Sequence, residues 1–291
     1  MQASEAIART SQAGWEPDDE AEGHRPSALR RAGTSVARAA VPTAILAALI
    51  GVWQLWVVEA HIKSFLLPTP AAIFKELVRE WGPILAKQTW VTFEETILGF
   101  VLGCAVGFLL AVGITYSRLL ERILYPPIVA SQAVPKIAIA PLFVVWLGFG
   151  IAPKVVVTIL LVFFPIAVTS AQGLMGVDQN LVELLRSVGA GERTVFAKVR
   201  LPYALPQIIS GMKIGITLAV VGAVVGEWVG ANAGLGYTIT YAQSQLETTL
   251  TFAAIAILVV MGVVLFMAVN VLERILVPWA RSQTGSYNAT L

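Results

Sequence analysis

Residues 250–272 read LTFAAIAILVVMGVVLFMAVNVL, an apolar run without a single charged side chain. A helix that crosses the hydrocarbon layer of a bilayer needs about 20 mostly apolar residues. This run therefore predicts a transmembrane helix. Five other stretches of the chain meet the same requirement. The sequence therefore predicts six spans, at 41–58, 97–115, 123–146, 155–175, 203–229 and 250–272.

The composition excludes an ordinary soluble protein. Hydrophobic residues make up 57% of the chain and charged residues 13%, whereas soluble domains carry about 25% charged residues. The net charge of +2 is spread along the chain, so no nucleic-acid partner is expected. One cysteine, Cys104, excludes an intrachain disulfide, and His24 and His61 lie too far apart in sequence to suggest a metal site or a bound cofactor.

Both ends of the chain differ from its apolar middle. Residues 1–40 begin acidic and become basic, which predicts a disordered cytoplasmic tail. Residues 41–280 form the predicted transmembrane domain, and residues 281–291 form a short cytoplasmic tail. With both termini inside, the inner segments hold 13 Lys and Arg and the outer loops hold 5, as the positive-inside rule requires.

Prolines interrupt the third predicted span at Pro126, Pro127, Pro135 and Pro141. Each proline removes a backbone donor and disfavours regular helix before it. Irregular backbone at membrane depth persists only where protein buries it or where it lines a wet cavity. Lys136 follows Pro135 directly, so we expect its ammonium group to face a solute pathway or a carboxylate; reaching out to the membrane surface is the alternative.

Two further patterns leave alternatives open. Glu227, in Gly226-Glu227-Trp228, either pairs with a cation at the outer end of a pathway or is solvated at the membrane surface. Glycines recur every four residues in the second and fifth spans, which predicts close helix contacts. Packing within the chain is the favoured reading, and a dimer seam is the alternative.

The predicted cytoplasmic loop at 178–202 contains structure of its own. Asn180 followed by Glu183 predicts a helix start, and Gly189 predicts a left-handed helix stop. An apolar face at helical spacing comprises Leu181, Leu184, Leu185 and Val188. A second short helix follows before Pro202. Two short helices outside the membrane with an apolar ridge are typical of a docking surface for a partner protein.

This loop resembles the cytoplasmic loop of the permeases of binding-protein-dependent ABC importers. That loop has Glu-Ala-Ala, three residues, Gly, nine residues, Ile, one residue and Leu-Pro. Here Glu183-Leu184-Leu185, Gly189, Val199 and Leu201-Pro202 stand at the same spacings. Residues 131–142, 146–150 and 226–236 are similar to the nitrate, sulfonate and taurine subfamily, which includes carriers of thiamine-precursor pyrimidines and riboflavin.

The resemblance implies a function and a set of partners. The chain would be an all-α, multi-pass permease in the bacterial inner membrane, with six transmembrane helices and a coupling-helix pair between the fourth and fifth. It would form half of the pathway for a small organic or anionic solute. Its partners would be two ATP-binding cassette ATPases, a second permease copy, an extracytoplasmic solute-binding protein and membrane lipid. The expected ATPase contacts are Glu183, Leu184, Leu185, Gly189, Leu201 and Pro202; the pathway candidates are Gln132, Pro135, Lys136 and Glu227.

Three other classes are less consistent with the sequence. A secondary active transporter would need several ionisable residues deep in the spans together with inverted repeats, and a channel would need a selectivity filter. A membrane enzyme would need His, Asp or Glu clustered at one depth. No phosphate-binding Gly-x-x-x-x-Gly-Lys-Ser/Thr motif is present in the sequence. We therefore expect no catalytic residue here, and ATP hydrolysis by a separate subunit.

Overall fold

The structure, a computed structural model, describes residues 28–280 of the chain. The chain divides into two compact units after Trp53. Within the first unit, the described residues 28–53 belong to helix α1 (Ala28–Glu59). Residues 28–40, which the sequence placed in a tail, are therefore helical. The rest of that tail and the one at 281–291 lie outside the described residues.

The second unit begins within the last turns of α1 and contains ten further described helices. They are α2 (Pro70–Glu80), α3 (Ala86–Tyr116), α4 (Arg118–Ala130), α5 (Ala140–Leu147), α6 (Ile151–Met175), α7 (Gln179–Ser187), α8 (Glu192–Val195), α9 (Leu201–Gly230), α10 (Leu235–Ser244) and α11 (Thr248–Leu276). Wide helical turns at Trp81–Leu85 and Phe196–Arg200 join α2 to α3 and α8 to α9. Residues 28–280 contain no strand, so the described chain is all-helical as predicted.

Five stretches of described helix are long and apolar enough to cross a membrane: Pro42–Glu59, Pro70–Tyr116, Ile151–Met175, Glu192–Gly230 and Thr248–Leu276. Each contains one of the predicted spans almost entirely. The helices extend beyond the predicted spans because helical structure continues past the apolar residues, as in α3, which begins at Ala86 rather than near residue 97.

The third predicted span, 123–146, is the one without a long helix in the structure. Helix α4 ends at Ala130, a short 3-10 turn occupies Ser131–Ala133, and α5 starts only at Ala140. Val134 has extended backbone (φ −74°, ψ 125°), the conformation favoured before a proline. Pro141 lies in the first turn of α5, where its missing N–H costs nothing. The prolines thus divide this stretch into two short helices.

Helix α6 lies between α3 and α9 and packs against both. A methyl group added at Gly103 of α3 would lie 2.7 Å from Val162, and one at Gly222 of α9 would lie 2.7 Å from the Cα of Thr158. Both glycine stripes therefore contact α6 of the same chain, which supports the intramolecular reading. The core at this junction includes Phe100, Val162, Ile166, Ile216, Met261 and Leu265.

Candidate functional site

The segment 178–202 begins with a capped helix, but the cap differs from the one predicted. The side chain of Asp178 accepts a hydrogen bond from the backbone N–H of Asn180 at 2.9 Å. Asn180 therefore lies inside the first turn of α7 as a donor rather than at the cap. Asp and Asn are both favoured at helix N-caps, and these two stand only two positions apart. The sequence pattern therefore placed the cap two residues too late.

Gly189 follows the C-cap of α7 and stops the helix, as the sequence predicted. Gly189 has φ +84°, a left-handed conformation that side chains with a Cβ disfavour. Its N–H donates to the carbonyl of Arg186 at 3.0 Å, and the N–H of Ala190 donates to the carbonyl of Leu185 at 2.9 Å. This pair of bonds defines a Schellman motif, and it turns the chain sharply towards α8.

The two short helices hold each other through a small core of their own. Val177, Val182 and Val195 are buried there, with Leu185, Ala190 and Val199 packed around them. The Arg186 Nη2 and Glu192 Oε1 atoms form an ion pair of 2.6 Å between the helices. The segment is therefore a preorganised unit rather than an open loop.

One predicted apolar face divides into two in the structure. Leu185 packs into the small core, whereas Leu181, Leu184 and Val188 are 44%, 61% and 74% exposed. These three side chains recur at helical spacing and form what we call the exposed ridge. Glu183 is exposed on the same helix, and Leu201 and Pro202 are half-buried where α9 begins. Such a contiguous apolar strip on a polar segment is a candidate contact for another protein.

The interrupted stretch between α4 and α5 borders a cavity of about 550 Å³. Its walls include Val134, Pro135, Lys136, Ile137, Leu161, Phe164, Pro165, Val168, Thr169, Ile214 and Leu218. The Nζ atom of Lys136 lies 5.1 Å from the centre of the Phe164 ring, a cation–π contact. Among the described residues, no carboxylate pairs with Lys136. The cavity is thus apolar with one cationic group.

The other two pathway candidates are Gln132 and Glu227. Gln132 belongs to the 3-10 turn Ser131–Ala133. Glu227 is 1% exposed and accepts hydrogen bonds from the hydroxyl of Thr92 at 2.6 Å and from the backbone N–H of Gly236 at 2.5 Å. The reading of Glu227 as a solvated side chain is therefore wrong. Lys136 and Pro135 share one site, and Glu227 belongs to another.

Comparison with known proteins identifies the family. The profile of the family described as "Binding-protein-dependent transport system inner membrane component" matches residues 99–282, which is more than half of the chain. This chain belongs to that family. As a binding-protein-dependent transport permease, it is an inner-membrane component of an ABC transport system. The match includes both the exposed ridge and the Lys136 cavity.

Several curated permeases are similar over most of their length. A formylaminopyrimidine transport permease of Halalkalibacterium halodurans is 37% identical over 83% of this chain and 96% of its own. A probable ABC transporter permease of Haemophilus influenzae is 36% identical over 79% and 93%. A putative aliphatic sulfonates permease of Bacillus subtilis is 31% identical over 82% and 87%. These relatives support the predicted nitrate, sulfonate and taurine-like subfamily.

A solved structure supports the fold of the binding-protein-dependent transport permease. A chain of the MetNI methionine ABC transporter in an inward-facing conformation superposes with a TM-score of 0.59 at 22% identity. The match covers 66% of this chain and 96% of that one. At this identity the likeness concerns architecture alone.

Two buried charges were missed by the sequence reasoning. The Nζ atom of Lys154 lies 2.5 Å from Glu95 Oε1, and both side chains are almost fully buried, at 7% and 3% exposure. Glu95 stands just before the second predicted span, 97–115, and Lys154 just before the fourth, 155–175. The glycine stripe of α3 indicates that Glu95 is buried. Glu95 stands four residues before Gly99 and so lies on the face of α3 that packs on α6.

Proposed function

We propose that this protein is the permease subunit of an ATP-driven ABC importer and forms half of its solute pathway. The observation that carries the proposal is the exposed ridge of Leu181, Leu184 and Val188 on a self-supporting helix pair, in a chain that belongs to the transport family. An apolar strip of this kind is costly to leave in water. A partner that covers it gains that free energy on binding.

The partner that fits the ridge is an ATP-binding cassette ATPase. The chain has no phosphate-binding loop of the Walker type, so a separate subunit must supply the energy of ATP hydrolysis. Closure of an ATPase pair would move α7 as a rigid body, because α7 and α8 share one core and one ion pair. The motion would pass to α9, which follows α8 through the turn Phe196–Arg200. Two ATPase copies would then drive a bistable pair of permeases.

For the membrane arrangement, we infer that α4, the turn at 131–139 and α5 together make a sixth crossing. The stretch is apolar, and its irregular middle borders the Lys136 cavity, as irregular backbone in a membrane requires. Both termini and the segment 178–202 would then face the cytoplasm, in agreement with the distribution of Lys and Arg. Surrounding lipid would cover the apolar outer faces of the spans.

The solute is expected to be a small organic molecule or anion. The relatives are described as permeases for formylaminopyrimidine, aliphatic sulfonates, riboflavin and taurine. Lys136 gives this cavity a positive group without a carboxylate partner among the described residues, which favours an anion such as a sulfonate. A solute-binding protein outside the membrane would deliver it, and a second copy of this chain would complete the pathway.

A paired substitution tests the docking surface. Leu184→Asp places a charge in the centre of the exposed ridge without disturbing the small core, because Leu184 is not part of that core. Thr194→Asp is the control, since it adds the same charge at an exposed position of α8. We expect Leu184→Asp to abolish co-purification of the ATPase and ATP-dependent uptake, and Thr194→Asp to retain both. Normal co-purification of Leu184→Asp would refute this assignment.

A further inference from the structure

Three charged side chains meet where α3, α6 and α9 come together, away from the Lys136 cavity and the exposed ridge. Glu95 of α3 pairs with Lys154 of α6, and Gly226 of α9, the residue before Glu227, packs against Lys154. All three charged residues are buried. The junction therefore contains two carboxyl groups and one ammonium group, with almost no contact with solvent.

Both carboxyl oxygens of Glu227 accept a hydrogen bond. Its Oε1 atom accepts from Thr92, and its Oε2 atom accepts from the N–H of Gly236 in the first turn of α10. Thr92 in turn accepts from the N–H of Leu235 at 2.8 Å, and Gln88 accepts from the N–H of Gly234 at 2.6 Å. The N-terminus of α10 is thus attached to α3 and α9 by three hydrogen bonds, and a fourth, from Thr92 to Glu227, joins α3 to α9.

Glu95 is satisfied at only one oxygen. Its Oε1 atom accepts from Lys154 at 2.5 Å, while its Oε2 atom is buried without a donor among the described residues. Thr92, which donates to Glu227, stands one turn before Glu95 on α3, so the Glu95 and Glu227 carboxyl groups belong to the same buried cluster. Ionised carboxylates only accept hydrogen bonds, so two of them placed side by side repel unless one carries a proton.

The charges at the junction do not balance without that proton. Glu95 and Glu227 bring two negative charges and Lys154 brings one positive charge. Of the neighbouring elements, α3 also carries Glu94, which is exposed, and α10 contributes no ionisable carboxyl or amine, only backbone N–H groups. The helix dipole of α10 offsets part of a charge. A charge buried in a protein without a compensating partner raises the free energy of the folded state.

We propose that Glu95 and Glu227 bind one proton between them, and that this proton holds α10 against α3. The bound proton turns Oε2 of Glu95 into a donor or an acceptor matched to Glu227, and it makes the cluster electrically neutral. A methyl group added at Gly236 would lie 2.8 Å from the Glu227 carboxyl. The Glu227 carboxyl group and the first turn of α10 are therefore in close contact, with no room for a side chain at position 236.

Infrared spectroscopy of the purified full chain at neutral pH tests the proposal directly. A protonated carboxylic acid has a carbonyl stretch separate from the carboxylate stretches, and the stretch shifts when H2O is replaced by D2O. Exposed acids are ionised at this pH. We expect the band in the wild type and in Glu94→Gln, the control for the exposed neighbour. We expect it to disappear in Glu95→Gln, where one carboxylate and one ammonium remain.

Two outcomes would overturn the proposal. One is a wild-type spectrum without the band, in particular if added Na⁺ or K⁺ raises the melting temperature instead, because a bound cation would then balance the charge. The other is a band that persists undiminished in both Glu95→Gln and Glu227→Gln. Glu95→Gln keeps the shape of the protonated acid and is expected to fold.

A pH series of melting temperatures gives a second readout. If the folded protein holds a proton that the unfolded chain releases, stability falls as the pH rises through the range where that proton leaves. We expect the wild type and Glu94→Gln to lose stability on the alkaline side and Glu95→Gln to lose less. Equal slopes for all three proteins would contradict the proposal.

Discussion

Lys154 and Glu95 are separated by 59 positions in the sequence, and their Nζ and Oε1 atoms lie 2.5 Å apart at the contact between α6 and α3. Lys213 and Glu273 form a pair of similar length, 2.6 Å, but their side chains are 22% and 30% exposed. The chain therefore contains the same type of ion pair in a buried and in a partly exposed setting. We therefore expect the two ion pairs to contribute very different amounts to the free energy of unfolding.

Removing the buried lysine should destabilise the protein strongly. Lys154→Met leaves both carboxyl groups of the cluster without their cation, a change that costs about 3–5 kcal/mol in buried pairs. Lys213→Met is the matched control and should cost about 1 kcal/mol or less, since ion pairs that water reaches contribute little. Thermal melting of the detergent-purified variants measures the difference. Similar melting temperatures for both variants would contradict the larger energetic role predicted for the buried pair.

The glycine contacts on α6 predict an asymmetric response to added methyl groups. Gly222→Ala would place its Cβ 2.7 Å from the Cα of Thr158, a backbone atom that cannot move aside, and overpacking of this kind costs about 1–3 kcal/mol. Gly262→Ala meets nothing within 4 Å and should be neutral or stabilising by up to about 1 kcal/mol. Melting temperatures that fall equally in both variants would contradict the packing.

Gly189 and Gly191 provide a test of the turn after α7. A Cβ added at either position would meet no other atom within 4 Å. The two glycines differ in backbone conformation, since φ is +84° at Gly189 and −72° at Gly191. Gly189→Val should strain the backbone by about 1–3 kcal/mol, tilt the exposed ridge and reduce ATP-dependent uptake, whereas Gly191→Val should transport normally. Uptake and stimulated ATPase activity that survive Gly189→Val would show that this turn is not needed for coupling.

Lys136 should matter for anionic solutes and not for assembly. Lys136→Met removes a charge-assisted contact worth about 1.5–3 kcal/mol, which corresponds to roughly a ten- to hundredfold loss in KM or uptake rate for a transported sulfonate. Lys136→Arg keeps the charge and should retain most of the activity. Co-purification with the ATPase should be normal in both. Unchanged sulfonate uptake by Lys136→Met would remove this residue from the pathway.

The long helices could be predicted because an uncharged apolar run is a local property. The run at 250–272 falls within α11, Thr248–Leu276, and the left-handed stop at Gly189 was equally local. The division of the third span into α4 and α5 followed from its prolines, although the lengths of the pieces did not.

The buried cluster could not be predicted because it depends on three separate helices. The glycine stripe marks the face of α3 that carries Glu95 rather than Glu94, but only the contact of α3 with α6 shows that Lys154 meets Glu95 there. The exposed ridge was similarly obscured, since Leu184 and Leu185 are identical neighbours of which one packs inward. Sequence periodicity predicts the apolar face of a helix, but tertiary packing determines which residues of that face are buried.

The most direct test of the docking surface is the accessibility of Leu184 with and without the ATPase. Cys104 is the only cysteine of the chain, so Cys104→Ser allows single cysteines to be introduced by Leu184→Cys or, as a control, by Lys75→Cys on α2. We predict that a membrane-impermeant maleimide modifies both positions in the purified permease, and that the bound ATPase protects only the Leu184→Cys thiol. Equal modification of that thiol in the permease alone and in the complex would contradict the account.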